Sequence, residues 1–196
     1  MREKVILVDF NEYVEASITN LKQLQNNDFD QAFTKAVQIF VETIKLHGNI
    51  LVCGNGGSHA DSQHFAGELV NYFTREHRAL PVIALGTNST VSTAWSNDHK
   101  FEDQFAREVE AYGNVNSVLF GITTSGRSKN VNLAFEKARK IGMKTVALAS
   151  HRSIPHLPPQ INALIAVPAS ETHKIQECHL VIYHALCIAI EEVIGK

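Results

Sequence analysis

Apolar residues recur along the chain in two rhythms. Over residues 11–24 (NEYVEASITNLKQL), Val14, Ile18 and Leu21 stand at helical spacing. Over 28–47, Phe33, Val37, Phe40, Val41 and Ile44 form a second helical stripe, with Gly48 as its stop. Beyond Gly48 the rhythm changes to short unbroken apolar runs at 49–53, 80–85 (closed by Gly86), 117–122, 144–149 and 163–167. Runs of this length without polar alternation predict strands buried on both faces. Helical patterns separate the first four runs, most clearly at 130–141, and a last helix is predicted from about 170 or 171 to 193. The stretch 151–160, HRSIPHLPPQ, reads as a proline-containing loop. The alternation predicts an α/β fold: a parallel sheet of five strands with helices on both faces, preceded by a helical segment.

In open parallel sheets, ligands bind outside the carboxyl ends of the strands. The segments that follow the first three predicted strands are GNGGS, GTNSTVST and TTSGRS, all rich in Gly, Ser, Thr and Asn. Thr123-Thr124-Ser125-Gly126-Arg127-Ser128 sits between a strand and a helix, where hydroxyls and backbone N–H groups suit a phosphate. The same composition also makes an ordinary capped turn. No GxxxxGK[ST] occurs, and GNGGS is not GxGxxG, so neither a nucleoside triphosphate nor a dinucleotide is favoured.

Composition narrows the class. The 196 residues suffice for one core-bearing domain, and a formal net charge of −2 leaves no electrostatic footprint for nucleic acid or an anionic membrane. No apolar run approaches a membrane span of about 20 residues. The N-terminal stretch MREKVILVDFNEY lacks the long apolar core and cleavage site of a signal peptide. Three cysteines (Cys53, Cys178 and Cys187) form no CxxC pair, which suits free thiols in a reducing compartment, the cytoplasm.

His64 and Glu68 form an i, i+4 pair in the segment that follows the glycine loop, and both are metal-ligand types. Such a pair is commonly only a surface pair. The last helix carries Gln176, His179 and His184 within the apolar stretch IQECHLVIYHALCIAI, where a histidine is often just a hydrogen-bonded core residue. His59 and Asp61 lie near the loop. His179 is expected to pack, Trp95 and Tyr183 to be core or interface aromatics, and Arg127 to be solvated.

In order along the chain, GNGGS, HFAGE, ND, TTSGRS and KIQECHLVIYH resemble the SIS (sugar isomerase) domain, and within it the phosphoheptose isomerases acting on sedoheptulose 7-phosphate. The resemblance runs from about residue 28 to the C-terminus, with residues 1–27 as an N-terminal helix for packing or oligomerisation and 28–196 as the SIS domain. It implies a three-layer αβα fold. It also implies substrate contacts from Asn55, Gly56, Gly57, Asn97, Asp98, Thr123, Thr124, Ser125, Ser128, Glu68 and Gln176. His64, Glu68, Gln176 and His184 would bind a zinc ion, and Glu68 and His184 would form the acid/base pair of an enediol mechanism. Family members are homotetramers with active sites between subunits, and their heptose phosphate product enters lipopolysaccharide synthesis.

One departure and one retained pair matter. Similar enzymes often follow the fourth strand with a glycine-rich loop, where this chain has HRSIPHLPPQ. A related group, the tetrameric factors that bind the replication initiator, lacks the residues matching Glu68 and His184, and this chain keeps both. The rival expectations are therefore a non-catalytic sugar-phosphate-binding or replication-initiator-binding scaffold, and an isomerase of a hexulose or arabinose phosphate. Gln176 and His184 are eight residues apart, about 12 Å along a helix. They reach one ion only by leaning together, by a break in the helix, or from different subunits, so the site is expected to be completed at a subunit interface.

Overall fold

The computed structural model describes residues 8–195; most of the apolar run at 5–8 that bears on the signal-peptide expectation, and Lys196, lie outside the described residues. Helix α1 (Phe10–Lys22) starts at Asp9, whose carboxylate accepts the N–H groups of Asn11 and Glu12. Helix α2 (Asn27–Lys45) starts at Asn26, which accepts the N–H of Phe29. The predicted stripe of α2 is largely realised, with Phe40, Val41 and Ile44 buried. That of α1 is realised only in part: Leu21 packs against the core and Val14 is half-buried, but no residue of α1 is fully buried and Ile18 stays 36% exposed. A polar anchor also attaches α1. The ammonium of buried Lys174 donates to the Tyr13 carbonyl (2.9 Å) and to Ser17 Oγ (2.6 Å), and Glu177 accepts from Ser17 and from the Tyr13 hydroxyl.

Five parallel strands, β1 (Ile50–Cys53), β2 (Val82–Ala84), β3 (Val118–Ile122), β4 (Lys144–Ser150) and β5 (Ala163–Val167), form one sheet in the order β2-β1-β3-β4-β5. The central strands β1 and β3 are buried at every position, as unbroken apolar runs require, whereas the edge strand β5 alternates. Between and after the strands come α3 (Gly57–Val70), α4 (Ser89–Asp98), α5 (Gln104–Tyr112), α6 (Lys129–Ile141) and α7 (Thr172–Ile194). One face of the sheet packs on α2, α3 and α7 through Phe40, Phe65, Phe120, Ile182 and Leu186. The other packs on α5 and α6 through Leu51, Leu119, Phe105, Val131 and Phe135. This is the three-layer αβα arrangement.

Three local expectations change. The second strand covers only Val82–Ala84 rather than 80–85, because Pro81 has no N–H for the ladder and uses only its carbonyl, which accepts Ile50 N–H at 2.8 Å. The chain leaves α2 through His47 in the left-handed region (φ 56°), not through Gly48. Glycine is needed at 48 because a Cβ there would overlap the Asn116 carbonyl. The predicted loop 151–160 begins with a 3-10 helix, His151–His156, which contains Pro155. Ser150 and Ser153 cap each other across its first turn, supplying the order that a proline normally interrupts.

Candidate active site

Strand order reverses between β1 and β3: the chain leaves β1 for β2 on one side and returns to β3 on the other. Such a switch point splays the following loops apart and leaves a crevice at the carboxyl edge. A cavity of about 320 Å³ lies there. Its walls are Asn55, Gly56 and Gly57 after β1, Thr123, Thr124 and Ser128 after β3, and Gln176 on α7, together with Ser58, Ile122 and Thr172. Seven of the predicted substrate residues thus line one space, with the N-terminus of α6 directly behind Ser128. A larger cavity of about 400 Å³, beside the α1–α2 connection and Ile154, contains none of the predicted residues.

The loops are braced from behind. Asn55 and Asn130 exchange two side-chain hydrogen bonds of 2.8 Å, so the Asn55 carboxamide ties the glycine loop to α6. Gly126 N–H donates to Thr123 Oγ1 (3.1 Å), and Ser150 Oγ donates to the Thr124 carbonyl (2.8 Å). Gly56 takes φ 56°, which turns the backbone into α3. At Gly57 a Cβ would overlap the Gln176 carboxamide. Gly57→Ala is therefore expected to displace Gln176 and to lower kcat/KM by about 100-fold. Steady-state kinetics beside a melting curve checks this, since the fold itself should survive.

Farther along α3 and α7 stands a second group. Ligand atoms of His64, Glu68 and His184 all lie within 4.8 Å of one another. His64 Nε2 is 2.8 Å from Glu68 Oε1, and the His64 and His184 rings meet edge-on at 5.0 Å. His184 Nε2 is buried without a hydrogen-bond partner. Burial first, and the neighbouring His64 second, hold the His184 imidazole below the ordinary histidine range, which favours the neutral ring a metal needs. Two imidazoles, one with an orphaned ring nitrogen, and a carboxylate fit a divalent metal ion. Gln176 lies two turns earlier on α7, which runs unbroken from Thr172 to Ile194, so a break in the helix does not bring it to His184.

Other predicted residues lie elsewhere. Asn97 and Asp98, at the exposed end of α4, hydrogen-bond each other at 2.9 Å and do not line the cavity within one chain. Ser125 lines an adjoining basic cavity with Arg127, Arg152 and His156. His179 is fully buried, with Nε2 3.3 Å from the Ala149 carbonyl, and packs as expected. The Trp95 ring, half-buried, stacks on His99 at 3.9 Å. All three cysteines are free and buried, and burial pushes their thiols up, which removes them as nucleophiles.

Three contributors escape the sequence pattern. Tyr183 is a core aromatic as expected, and beyond that its hydroxyl lies 2.8 Å from His64 Nδ1. The Phe73 ring packs against His184 at 5.0 Å. Buried Glu191 accepts the N–H groups of Phe73 (2.6 Å) and Thr74 (2.9 Å), the Thr74 hydroxyl (2.7 Å) and His77 Nε2 (3.1 Å), and so clamps that segment. The only available signal was the position of Tyr183 beside His184. Asp61, one turn ahead of His64, has Oδ2 buried without a partner, and burial pushes its carboxyl up to about 6 against the pull of His64.

This chain is a SIS-domain protein: the SIS domain family model matches residues 9–150, a span that holds the loops after β1 and β3 and, on α3, His64 and Glu68. The particular family follows from the relatives. A phosphoheptose isomerase of Helicobacter pylori is 42% identical over 191 residues, covering 97% of this chain and 96% of its own. A solved phosphoheptose isomerase from Francisella tularensis superposes with a TM-score of 0.86 at 35% identity, covering 93% of this chain and 96% of its own. One from Neisseria gonorrhoeae gives 0.79 at 34% identity, with 93% and 95% covered. This chain belongs to the phosphoheptose isomerase family of SIS-domain proteins.

Proposed function

We propose that this chain is a zinc-dependent ketose–aldose isomerase that converts sedoheptulose 7-phosphate to D-glycero-D-manno-heptose 7-phosphate. The observation that carries the proposal is the convergence of His64, Glu68 and His184 on the helices that also wall the switch-point cavity. The names of the relatives support the choice of sugar.

The phosphate would sit against Thr123, Thr124 and Ser128 at the N-terminus of α6, where backbone N–H groups and hydroxyls meet an anion. The sugar would cross the glycine loop past Gln176 toward α7. Moving the carbonyl from C2 to C1 requires a base to take the C1 proton and an acid to serve the oxygens, through an enediol. Glu68 and His184 are the proposed pair. Zinc held by His64, Glu68 and His184, with Gln176 as a further donor, would polarise the carbonyl and stabilise the enediolate. Turnover of sedoheptulose 7-phosphate, measured against hexulose and arabinose phosphates, tests the substrate. A preference for a shorter sugar would contradict the heptose assignment, and the absence of turnover with any of them would favour the binding-module alternative.

The site is proposed to be completed in a homotetramer. Leu180, Val181 and Ile188 on α7 are 40%, 48% and 39% exposed on either side of His184, and Asn97 and Asp98 lie outside the cavity of their own chain. A second copy covering that apolar surface would bring its own residues to the site. Val181→Glu is expected to split the assembly and to abolish most of the activity. Light scattering with a parallel activity assay checks this, and a fully active monomer would refute the shared site. Among the described residues no helix is long and apolar enough to cross a membrane. The free buried thiols support the cytoplasm as the place of work, in heptose supply for lipopolysaccharide precursors.

A further inference from the structure

Positive charge collects beside the loop after β3. From Thr123 to Ser170 the chain holds seven Lys or Arg residues and one acid, Glu136, although its net charge is −2. Three basic side chains of this stretch, Arg127, Arg152 and His156, line one cavity of about 250 Å³ together with Ser125. Among the described residues none of the three has a carboxylate within ion-pair distance, whereas Arg75, Arg107, Lys137 and Lys174 each have one. Two guanidiniums beside one space repel each other, and an anion between them relieves that repulsion.

The backbone that carries the lining is fixed. The 3-10 helix His151–His156 lies hard against the loop, since a Cβ on Gly126 would overlap the Ser153 carbonyl. Asn132 Nδ2 on α6 donates to the Gly126 carbonyl (2.9 Å) and to the His156 carbonyl (3.1 Å), tying the loop and the 3-10 helix to one point. Ser150 Oγ holds the Thr124 carbonyl at 2.8 Å at the other end. A site arranged before its ligand arrives spends less of its binding energy on ordering. This cavity shares no lining residue with the one walled by Thr123, Thr124 and Ser128; the loop 123–128 divides the two.

We propose that the cavity of Ser125, Arg127, Arg152 and His156 is a second anion site, which binds a phosphate dianion, free or carried on a sugar. It rests on the proposed function only in that the substrate's own phosphate takes the neighbouring cavity. Guanidinium forks match phosphate oxygens two at a time. The Ser125 hydroxyl accepts the Arg127 N–H at 3.2 Å and keeps its own proton to donate. A ring N–H of His156 is a further donor, and no acidic side chain lines the space to oppose an anion.

Titration calorimetry of the assembled protein at fixed ionic strength tests this, first with inorganic phosphate and then with a polyol phosphate, which has no carbonyl to isomerise. Wild type is expected to take two phosphates per chain. Arg127→Ala and Arg152→Ala should each weaken one of them by about 10–100-fold, the loss of charge-assisted hydrogen bonds, and leave the other unchanged. Ser128→Ala should weaken only the other. Both arginines are exposed, so these variants should melt with wild type. A second equivalent of inorganic phosphate alone would identify a free-phosphate site, and a second equivalent of both compounds a site for phosphate esters; either supports the proposal. One phosphate per chain, weakened by Ser128→Ala and untouched by the arginine variants, would overturn the second site and leave the substrate-phosphate reading standing. One phosphate weakened by all three variants would mean a single shared position and would also overturn it. No bound phosphate would contradict both readings.

Discussion

Glu68→Gln is expected to lower turnover of sedoheptulose 7-phosphate by about 10²–10⁴-fold, the usual contribution of a positioned acid or base, with the fold unchanged. The substitution keeps the size and most of the shape of the side chain. It removes the negative charge facing His64 Nε2 at 2.8 Å and the only carboxylate in the His64–Glu68–His184 cluster. Loss of a ligand and loss of a base are separable. If Glu68 acts only through the metal, saturating zinc restores much of the rate. If it also moves the carbon-bound proton, kcat stays low at any zinc concentration. The proposed mechanism predicts the second result, read from kcat in a zinc titration of variant and wild type. A wild-type kcat would remove Glu68 from the chemistry.

Glu191→Ala is expected to destabilise the protein by about 3–5 kcal/mol, since it strands several donors at about 1–3 kcal/mol for each that is left buried and unsatisfied. The Glu191 carboxylate is fully buried and satisfies two backbone N–H groups, a hydroxyl and the His77 ring, all of which would lose their acceptor. Burial alone would raise its pKa. The hydrogen bonds from Thr74, from the Phe73 and Thr74 backbone and from His77 outweigh burial and hold it below the ordinary glutamate value. A depressed carboxylate contributes stability that is present above its unfolded pKa and lost as pH falls through its folded pKa. Wild type should therefore lose this part of its stability only in acid, below about pH 4.3, and the variant should lack it at neutral pH. Denaturant melts at pH 7 and in acid check both halves. Equal stability of the two proteins at pH 7 would contradict the clamp. The effect should reach the site as well, because the clamped segment carries Phe73 onto His184.

The sheet was legible because buried parallel strands write themselves as unbroken apolar runs. β5 was found at its observed bounds and β3 within one residue. The cavity was legible for a related reason: the loops after β1 and β3 must stand at the carboxyl edge, and their small polar residues had few structural uses there. The His64–Glu68 pair was visible from its spacing, but its meeting with His184 was not, since 116 or more residues and a tertiary contact between α3 and α7 separate them; the resemblance supplied it. Tyr183, Phe73 and Glu191 were hidden because nothing local distinguishes a phenol, phenyl or carboxylate that serves a site from one that serves the core. The stripe of α1 is covered only in part, Val14 and Leu21 half-buried and Ile18 exposed, because helical periodicity predicts an apolar face and not how fully another surface covers it.

The central claim is that His64, Glu68 and His184 hold a metal that the isomerisation needs. The most direct measurement is conversion of sedoheptulose 7-phosphate by assembled wild-type protein, stripped of metal and then resupplied with zinc. The account predicts that stripping abolishes turnover and that zinc restores it. Full activity in the stripped protein, or none in the zinc-loaded assembly, would contradict it.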